Sequence, residues 1–261
     1  MFRNADADPF DGARGYPAPV RAEGPQLALC DYLRRISYKV ISDHDEAEEV
    51  FRMRYQSYRA LDLIGESESG EWRDRFDSHP DYRNIGIFLD GRLAGGVRIN
   101  RITPALRDSA ALDMYPEHLA GMLSSGSTFV EATRLFTASD QRSSDRLLPF
   151  AIIRLVGIAA RHHRASHVVK NVNVRHAAFY KRHLRAEVVP DSLKPYKDHS
   201  RVVELVLLTA PVAPSYSAML GDLPYLLSTR AEMDALFSSM PSAEHVRPGV
   251  LAVLDGTDSW A

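Results

Sequence analysis

The pattern of apolar and polar positions along the chain predicts strands and helices in mixed order. Residues 127–137 are rich in Val, Phe and Thr, which is typical of a buried strand. The Asp90–Gly91 pair lies between two apolar runs and predicts a hairpin. Further strands are predicted at 38–42, 166–174, 186–189 and 202–208, and helices at 26–35, from 43 onward, 146–163, 175–184 and 227–240.

Direct strand pairing and helices between strands together predict an α/β fold with a mixed, mostly antiparallel, twisted sheet flanked by helices. Residues 1–24 are rich in Asp, Ala, Pro and Gly, so we expect a disordered N-terminal segment. Residues 25–208 are predicted to form one domain, and the Pro-rich residues 209–261 an extension with one helix.

Several charged residues lie inside apolar runs. Glu131 and Arg134 are on the predicted central strand, and Arg98 is on the second hairpin strand. A buried charge costs several kcal/mol unless it is paired or used. Strict alternation would place Glu131 and Arg134 on opposite faces, and a β-bulge near Ala132 or Thr133 would bring them together. A structural ion pair and a functional site both remain open.

Charge is distributed unevenly along the chain. Residues 43–81 contain twelve Asp or Glu, whereas residues 146–186 contain none and hold nine Lys or Arg. This segregation predicts a basic face that attracts an acidic partner. Phe150, Phe179 and Tyr180 are the aromatic residues of the basic segment, which is too few for a base-stacking platform and disfavours nucleic acid.

Cys30 is the single cysteine, so an intrachain disulfide is excluded. The sequence contains no apolar run of about 20 residues, the length that spans a membrane, and no basic-then-apolar secretory signal. We therefore expect a cytoplasmic protein without a membrane span. We see neither metal-ligand spacing nor a Ser-His-Asp pattern, and we expect no metal site.

The order of the predicted elements resembles the N-acetyltransferase (GNAT) superfamily, and residues 178–184 resemble its short helix with an aromatic-Tyr pair. Four motifs resemble the acyl-homoserine-lactone (autoinducer) synthases and the related N-acyl amino acid synthases. They are Phe-Arg-Met-Arg ending at Arg54, the acids Asp74 and Asp77, Gly-Gly-Val-Arg ending at Arg98, and Glu131-Ala-Thr-Arg134-Leu-Phe136. The sequence departs from the lactone-synthase pattern at residues 61–63 and at Trp72, which favours an amide product over a lactone.

The resemblance implies an N-acyltransferase with the GNAT fold and a bulged central strand. It implies that Glu131 is the base that deprotonates the amine, that Arg134 belongs to the catalytic site and that Tyr180 protonates the leaving thiolate. Arg54, Asp74, Asp77, Arg98 and Phe136 are the implied substrate-binding residues. Three arginines and three acids would then converge and neutralise each other in one cleft.

The implied donor is the acyl-phosphopantetheine of acyl carrier protein, with no bound cofactor. Coenzyme A is less favoured because residues 140–146 lack the glycines of a pyrophosphate loop. Arg142, Ser143, Ser144 and Arg146 are the candidate phosphate ligands. Arg161, Arg164, Lys181 and Arg182 are the candidate docking residues for the carrier protein, from a wider pool that includes Arg154, Lys170, Arg175 and Arg185.

The acceptor is predicted to be an amino acid or a similar small amine. One alternative is an acyl-homoserine-lactone synthase. The other is a non-catalytic protein that binds carrier protein or nucleic acid through its basic face.

Overall fold

The computed structural model describes residues 25–42, 44–138, 146–184, 186–198, 201–211 and 227–254. The strands are β1 (Ile36–Val40), β2 (Tyr82–Leu89), β3 (Arg92–Ile102), β4 (Phe129–Thr137), β5 (His167–Asn173), β6 (Glu187–Val188), β7 (Lys194–Asp198) and β8 (Arg201–Pro211). The helices are α1 (Pro25–Leu33), α2 (His44–Ala60), α3 (Ala110–Met114), α4 (Pro116–Ser124), α5 (Leu148–His162), α6 (Ala177–Leu184), α7 (Arg230–Phe237) and α8 (Val250–Leu254), with a 3₁₀ turn at Val174–His176 before α6.

The described strands form one sheet in the order β1-β2-β3-β4-β5-β8-β6, and β7 also pairs with β8. Neighbouring strands in the described part of the chain run antiparallel except β4 and β5, which are parallel. The prediction of a mixed, mostly antiparallel sheet flanked by helices is confirmed.

The parallel pair is short. β4 and β5 pair only from Phe129–His167 to Glu131–Val169, although β4 continues to Thr137 and β5 to Asn173. Both strands therefore present unpaired backbone groups beyond this point, and the sheet divides into two arms with a gap between them.

The main core lies between the sheet and α5. Residues of α5 such as Ile152 and Leu155 pack on Val97 and Ile99 of β3 and on Val130 of β4. A second cluster under α3 and α4 contains Phe129, Val169 and Leu207 from the other face of the sheet. Alternate residues of β4 and β5 thus face different helices, as the twofold repeat of a strand requires.

The C-terminal segment is part of the main core. Met233, Leu236 and Phe237 of α7 are buried in the same cluster as α5. β8 continues to Pro211, so the predicted boundary at residue 208 falls inside a strand. β7 and α8 were not predicted, and the segment predicted as disordered, residues 1–24, lies outside the described residues.

Of the helices that the structure describes, none combines the length and the apolar composition that crossing a membrane requires.

Candidate active site

A buried chain of ion pairs joins α2, the segment before β2, and β3. Arg54 Nη1 of α2 donates to both carboxylate oxygens of Asp77, at 2.9 and 3.0 Å. Arg98 Nη1 of β3 lies 3.0 Å from Asp77 Oδ1. The Arg54 and Arg98 side chains are 1% and 0% exposed, so their charges depend on these carboxylates for compensation.

Asp74 extends this chain to β4. Arg98 donates from Nη1 to Oδ1 at 2.5 Å and from Nη2 to Oδ2 at 3.0 Å, and Arg134 donates to Oδ2 from Nε at 2.9 Å and Nη2 at 2.5 Å. Burial raises the pKa of Asp74, but the two guanidinium groups outweigh burial and hold this pKa well below its usual range. Asp74 is therefore ionised at neutral pH, and both of its oxygens are engaged.

A β-bulge in β4 sets the direction of the Arg134 side chain. Arg134 and Leu135 together oppose the single residue Val97 of β3. Arg134 has a φ of +55°, in the left-handed region that residues with a Cβ rarely adopt. The prediction of a bulged central strand near Ala132 or Thr133 is confirmed, and the bulge itself lies at Arg134 and Leu135.

Glu131 occupies a separate hydrogen-bonded site. Its Oε1 accepts the Ala111 N–H at 2.6 Å, and its Oε2 accepts the Tyr82 hydroxyl at 3.2 Å. Arg98, whose charge acts on Glu131, makes its ion pairs with Asp74 and Asp77 instead. The structure thus joins five of the six predicted charges directly and leaves Glu131 apart.

Glu131 is 0% exposed, and burial raises its pKa to about 7 against the opposing effects of the Ala111 N–H and the Arg98 charge. Ala110 and Ala132, its neighbours in the structure, line the cavity described next, whereas Glu131 is not part of the cavity wall. The carboxyl group therefore has the proton affinity of a base at neutral pH but lies one layer behind the wall.

A cavity of about 930 Å³ opens where β4 and β5 diverge. Asp74, Arg98 and Arg134 form a charged part of its wall. The apolar part includes Leu61, Leu63, Phe136, Val172, Val203 and Leu205. A long apolar chain and a small charged molecule would thus find matching surfaces in the same cavity.

Tyr180 and Lys170 lie together on this cavity wall. The Lys170 Nζ is 4.8 Å from the centroid of the Tyr180 ring. Burial raises the pKa of Tyr180 and lowers the pKa of Lys170 to about 7. The prediction that Lys170 belongs to a pool of surface docking residues was wrong, because its side chain points into the interior and is 2% exposed.

Some of the predicted donor-binding residues lie outside the described residues, and others are exposed near the cavity. Arg142, Ser143 and Ser144 lie outside the described residues, and Arg146 is exposed just before α5. Lys181 and Arg182 are exposed on α6, directly after the cavity residue Tyr180.

The structure does not bring Arg161 and Arg164 to the cavity. Pro149, in the first turn of α5, lines the cavity, whereas Arg161 and Arg164 lie at and beyond the last turn of that helix. At 1.5 Å per residue, the two ends of this helix are about 20 Å apart. The prediction that Arg154 belongs to the pool of docking residues was also wrong, because its side chain is 0% exposed and forms an ion pair with Glu232.

Four residues that the sequence did not identify hold the charged chain in place. Asn84 accepts from Arg54 at 3.0 Å, and Thr133 accepts from Arg98 at 3.2 Å. The Trp72 ring stacks on Arg134, with the guanidinium carbon 3.9 Å from the ring centroid. Tyr82 is the fourth, and its ring centroid lies 5.3 Å from the guanidinium carbon of Arg98. Trp72 is a position at which the sequence departs from the lactone-synthase pattern, and this departure is the signal that could have identified it.

The chain was compared with protein families and with known proteins. Residues 49–211 match the family described as N-acyl amino acid synthase FeeM. The search of curated proteins returned no match.

Solved structures include FeeM itself, an N-acyl amino acid synthase from uncultured soil microbes. It is 17% identical, with a TM-score of 0.57 over 72% of this chain and 98% of that chain. BjaI, a coenzyme-A-dependent acyl-homoserine lactone synthase solved with SAM and isopentyl-CoA, is 17% identical, with a TM-score of 0.52 over 72% of this chain and 88% of BjaI. At this identity the structures establish a shared acyltransferase fold.

The family match is the stronger finding, because it covers β2 to β8 and most of α2, the elements that carry the charged chain and the cavity. It confirms the resemblance and the N-acyltransferase activity that the resemblance implied. The chain belongs to the FeeM family of N-acyl amino acid synthases.

Proposed function

We propose that this protein transfers a fatty acyl group from acyl carrier protein to the amine of an amino acid, giving an N-acyl amino acid. The observation that carries the proposal is the cavity of about 930 Å³, whose wall is apolar on one part and charged on another. The apolar part, with Phe136, Val172 and Leu205, suits the acyl chain. The charged part suits a zwitterionic acceptor.

The charge balance favours an amino acid over a simple amine. Arg54, Arg98 and Arg134 carry three positive charges, and Asp74 and Asp77 carry two negative charges, which leaves one positive charge in the connected chain. Of these three arginines, Arg134 has the most exposed side chain, at 15%. Its guanidinium is positioned to receive the carboxylate of the acceptor.

In the proposed reaction the neutral amine attacks the thioester carbonyl carbon, the new C–N bond forms, and the C–S bond breaks. The amine loses one proton, and the departing sulfur gains one. We assign the proton-accepting role to Glu131 because its pKa of about 7 suits a base at neutral pH. Because Glu131 is behind the cavity wall, the proton reaches it through an intervening water molecule.

The proposed docking surface for the carrier protein consists of Lys181, Arg182 and Arg146. The first two are exposed beside Tyr180, and Arg146 precedes the α5 turn that lines the cavity. Carrier protein is acidic, so a basic rim at the opening would guide it. Arg161 and Arg164 are left out of this surface because of their distance from the cavity.

Incubation of the purified protein with long-chain acyl carrier protein and a mixture of amino acids tests the proposal. We expect release of the carrier thiol and an N-acyl amino acid by mass spectrometry. Parallel reactions contain acyl-coenzyme A as the donor or S-adenosylmethionine as the acceptor. A lactone product would favour the autoinducer alternative, and no thiol release with any pair would contradict an acyltransferase role.

The docking surface is tested by reversing its charge. The double variant Lys181→Glu and Arg182→Glu is expected to raise the KM for acyl carrier protein about tenfold at low salt and less at high salt, because salt screens exposed charges. Arg164→Glu, an exposed site at the far end of α5, is the matched control. An equal effect in both variants would contradict the assigned surface.

A further inference from the structure

Lys170 is a buried cation for which the residues that the structure describes provide no carboxylate. Its side chain is 2% exposed and lines the cavity, and the aromatic ring of Tyr180 is the partner that the structure gives its Nζ. Arg98 and Arg134 of the cavity wall, in contrast, are paired with Asp74 and Asp77. A buried ammonium without an anion is costly to maintain, and such groups often have a role in binding or catalysis.

The position of Lys170 along β5 places it at the start of the gap in the sheet. Glu131 of β4 pairs with Val169, and Lys170 is the first β5 residue beyond this pairing. A thioester inserted between the diverging strands would therefore pass directly beside the Lys170 side chain.

The acyl donor and the amine acceptor are assigned to opposite faces of the sheet. Lys170 shares a face with Val168 and Val172, which pack against Tyr180 of α6. Glu131 and Asp74 lie with α3 and the segment before β2, on the opposite face. Because the proposed donor approaches past α6 and the start of α5, its sulfur lies on the Lys170 side and the acceptor lies on the Asp74 side.

We propose that Lys170 is a catalytic residue that protonates the departing thiolate, an assignment that rests on the proposed acyl transfer. As the C–S bond breaks, its electron pair moves to sulfur, and a proton passes from the Lys170 ammonium to that sulfur. The product is a free thiol, and the neutral amine of Lys170 then takes up a proton from water. The proton lost by the acceptor amine balances this uptake.

The chemistry favours Lys170 over Tyr180 as this acid. The thiol of phosphopantetheine is an alkyl thiol like that of cysteine, whose pKa is roughly 8.5. Burial lowers the pKa of Lys170 to about 7, so its proton passes downhill to the thiolate. Burial raises the pKa of Tyr180 above its ordinary value of about 10, which makes the same transfer uphill. Tyr180 instead packs its ring against Lys170.

Other titratable groups share the cavity with Lys170. They are Tyr58 of α2, Asp74 and Arg75 before β2, Arg98 of β3, Asp113 of α3, Arg134 of β4, His176 of the 3₁₀ turn, Tyr180 of α6, and Lys194 and Tyr196 of β7. The pH experiment below therefore depends on comparison with a variant that lacks only Lys170.

The experiment compares Lys170→Met with the wild-type protein on two donors, an acyl pantetheine and an acyl thioester of an aryl thiol. An aryl thiolate is a much better leaving group and does not need the proton. We expect Lys170→Met to lower kcat with the pantetheine donor at least ~100-fold, a typical acid–base contribution, and to affect the aryl donor less than about tenfold. An equal loss with both donors, or a loss confined to the KM for the acceptor, would overturn the assignment.

Two further variants separate catalysis from folding. Lys170→Arg keeps a cation but has a pKa too high to release its proton readily, so we expect the same dependence on the donor. Lys197→Met, an exposed β7 site, is the control and should match the wild type.

The wild-type rate should fall as the pH rises above about 7, and this decline should be absent in Lys170→Met with the pantetheine donor. A decline that persists unchanged in the variant would contradict the assignment. A wild-type protein that releases no thiol from any donor contradicts acyl transfer itself. An active wild type with an equal loss on both donors contradicts only the role of Lys170.

Discussion

Asp74 and Arg98 form a bidentate ion pair in which two guanidinium nitrogens meet the two carboxylate oxygens at 2.5 and 3.0 Å. The pair connects the segment between α2 and β2 to the middle of β3, and Arg98 is fully buried. The same carboxylate also receives Arg134 of the β4 bulge. One aspartate thus fixes the position of the cavity's charged wall.

Asp74→Asn should destabilise the fold by about 3 kcal/mol, because it leaves buried guanidinium charge without its carboxylate. Urea unfolding at neutral pH measures this loss. The pKa of Asp74 is lowered in the folded state, so its contribution is present above the unfolded pKa of about 4 and is lost as the pH falls below that value. The difference between the variant and the wild type should therefore shrink in acid.

Asp90 provides the matched control, since it forms a bidentate pair with Arg35 in which both side chains are about half exposed. Asp90→Asn should cost much less than Asp74→Asn, because exposed ion pairs contribute little to stability. Equal costs at the two positions would show that burial does not govern the Asp74 pair.

Gly95→Ala should destabilise the β4 bulge. An added Cβ at Gly95 would lie 2.7 Å from the Phe136 carbonyl oxygen, a backbone atom that cannot move alone. We expect a loss of about 1–3 kcal/mol, typical of overpacking, and a changed chain-length preference because Phe136 lines the cavity. Thermal unfolding and product profiling measure the two effects.

Gly121→Ala is the control for that substitution. Gly121 is within α4, and an added Cβ would meet no atom within 4 Å. It should stabilise the protein by up to about 1 kcal/mol through helix propensity. Stabilisation by both alanines would disprove the close approach at Gly95.

Glu232→Gln should cost about 3–5 kcal/mol, the usual effect of breaking a buried ion pair. Glu232 of α7 binds Arg154 of α5, and both side chains are almost fully buried. The double change Arg154→Met and Glu232→Leu should cost less than the sum of the single changes, because it removes both charges together. Urea unfolding of the wild type, Arg154→Met, Glu232→Leu and the double variant gives this difference.

Arg230→Gln on the same helix α7 removes an exposed pair with Asp234 and should change stability by less than about 0.5 kcal/mol. Additive costs at positions 154 and 232 would contradict the coupling between α5 and α7.

The fold was predictable where local chemistry determines it. The Asp90–Gly91 turn has positive φ at both residues, and the hairpin of β2 and β3 follows from it. β7 was missed because Lys194–Asp198 reads Lys-Pro-Tyr-Lys-Asp, which lacks an apolar alternation. Its strand conformation comes from pairing with β8, a long-range contact that the local sequence does not reveal.

The sequence predicted which charged residues belong to the site better than it predicted which ion pairs they form. Charges inside apolar runs identified Arg98, Arg134 and Glu131. Lys170 has a similar signal, because it follows Val168 and Val169 and precedes Val172 by two residues. Which anion meets which cation depends on side-chain direction after a bulge, and a one-residue shift changes the face. This is why Glu131 was expected in the ion-pair network and instead binds Tyr82 and Ala111.

Glu131→Gln should lower kcat at least ~100-fold if the carboxylate is the base, and it should remove the decline in rate at acidic pH. The wild-type rate is expected to rise towards pH 7 as Glu131 ionises and to fall above it as Lys170 loses its proton, whereas Glu131→Gln has no proton to lose at position 131 and keeps only the fall. The pH dependence of kcat/KM measures both effects. Near-normal turnover in Glu131→Gln would remove Glu131 from the mechanism.

Stability gives an independent check, because burial raises the folded pKa of Glu131 from an ordinary value near 4.5 to about 7. A group whose pKa is raised by folding stabilises the folded state fully when the pH is below the pKa of the unfolded state. This contribution is lost as the pH rises through the pKa of the folded state. At about 1.4 kcal/mol per unit, the wild type should lose up to about 3 kcal/mol relative to Glu131→Gln between pH 4 and 7. A constant difference over this range would mean that the pKa of Glu131 is the same in the folded and unfolded states, and so that Glu131 is too weak a base for the proposed role.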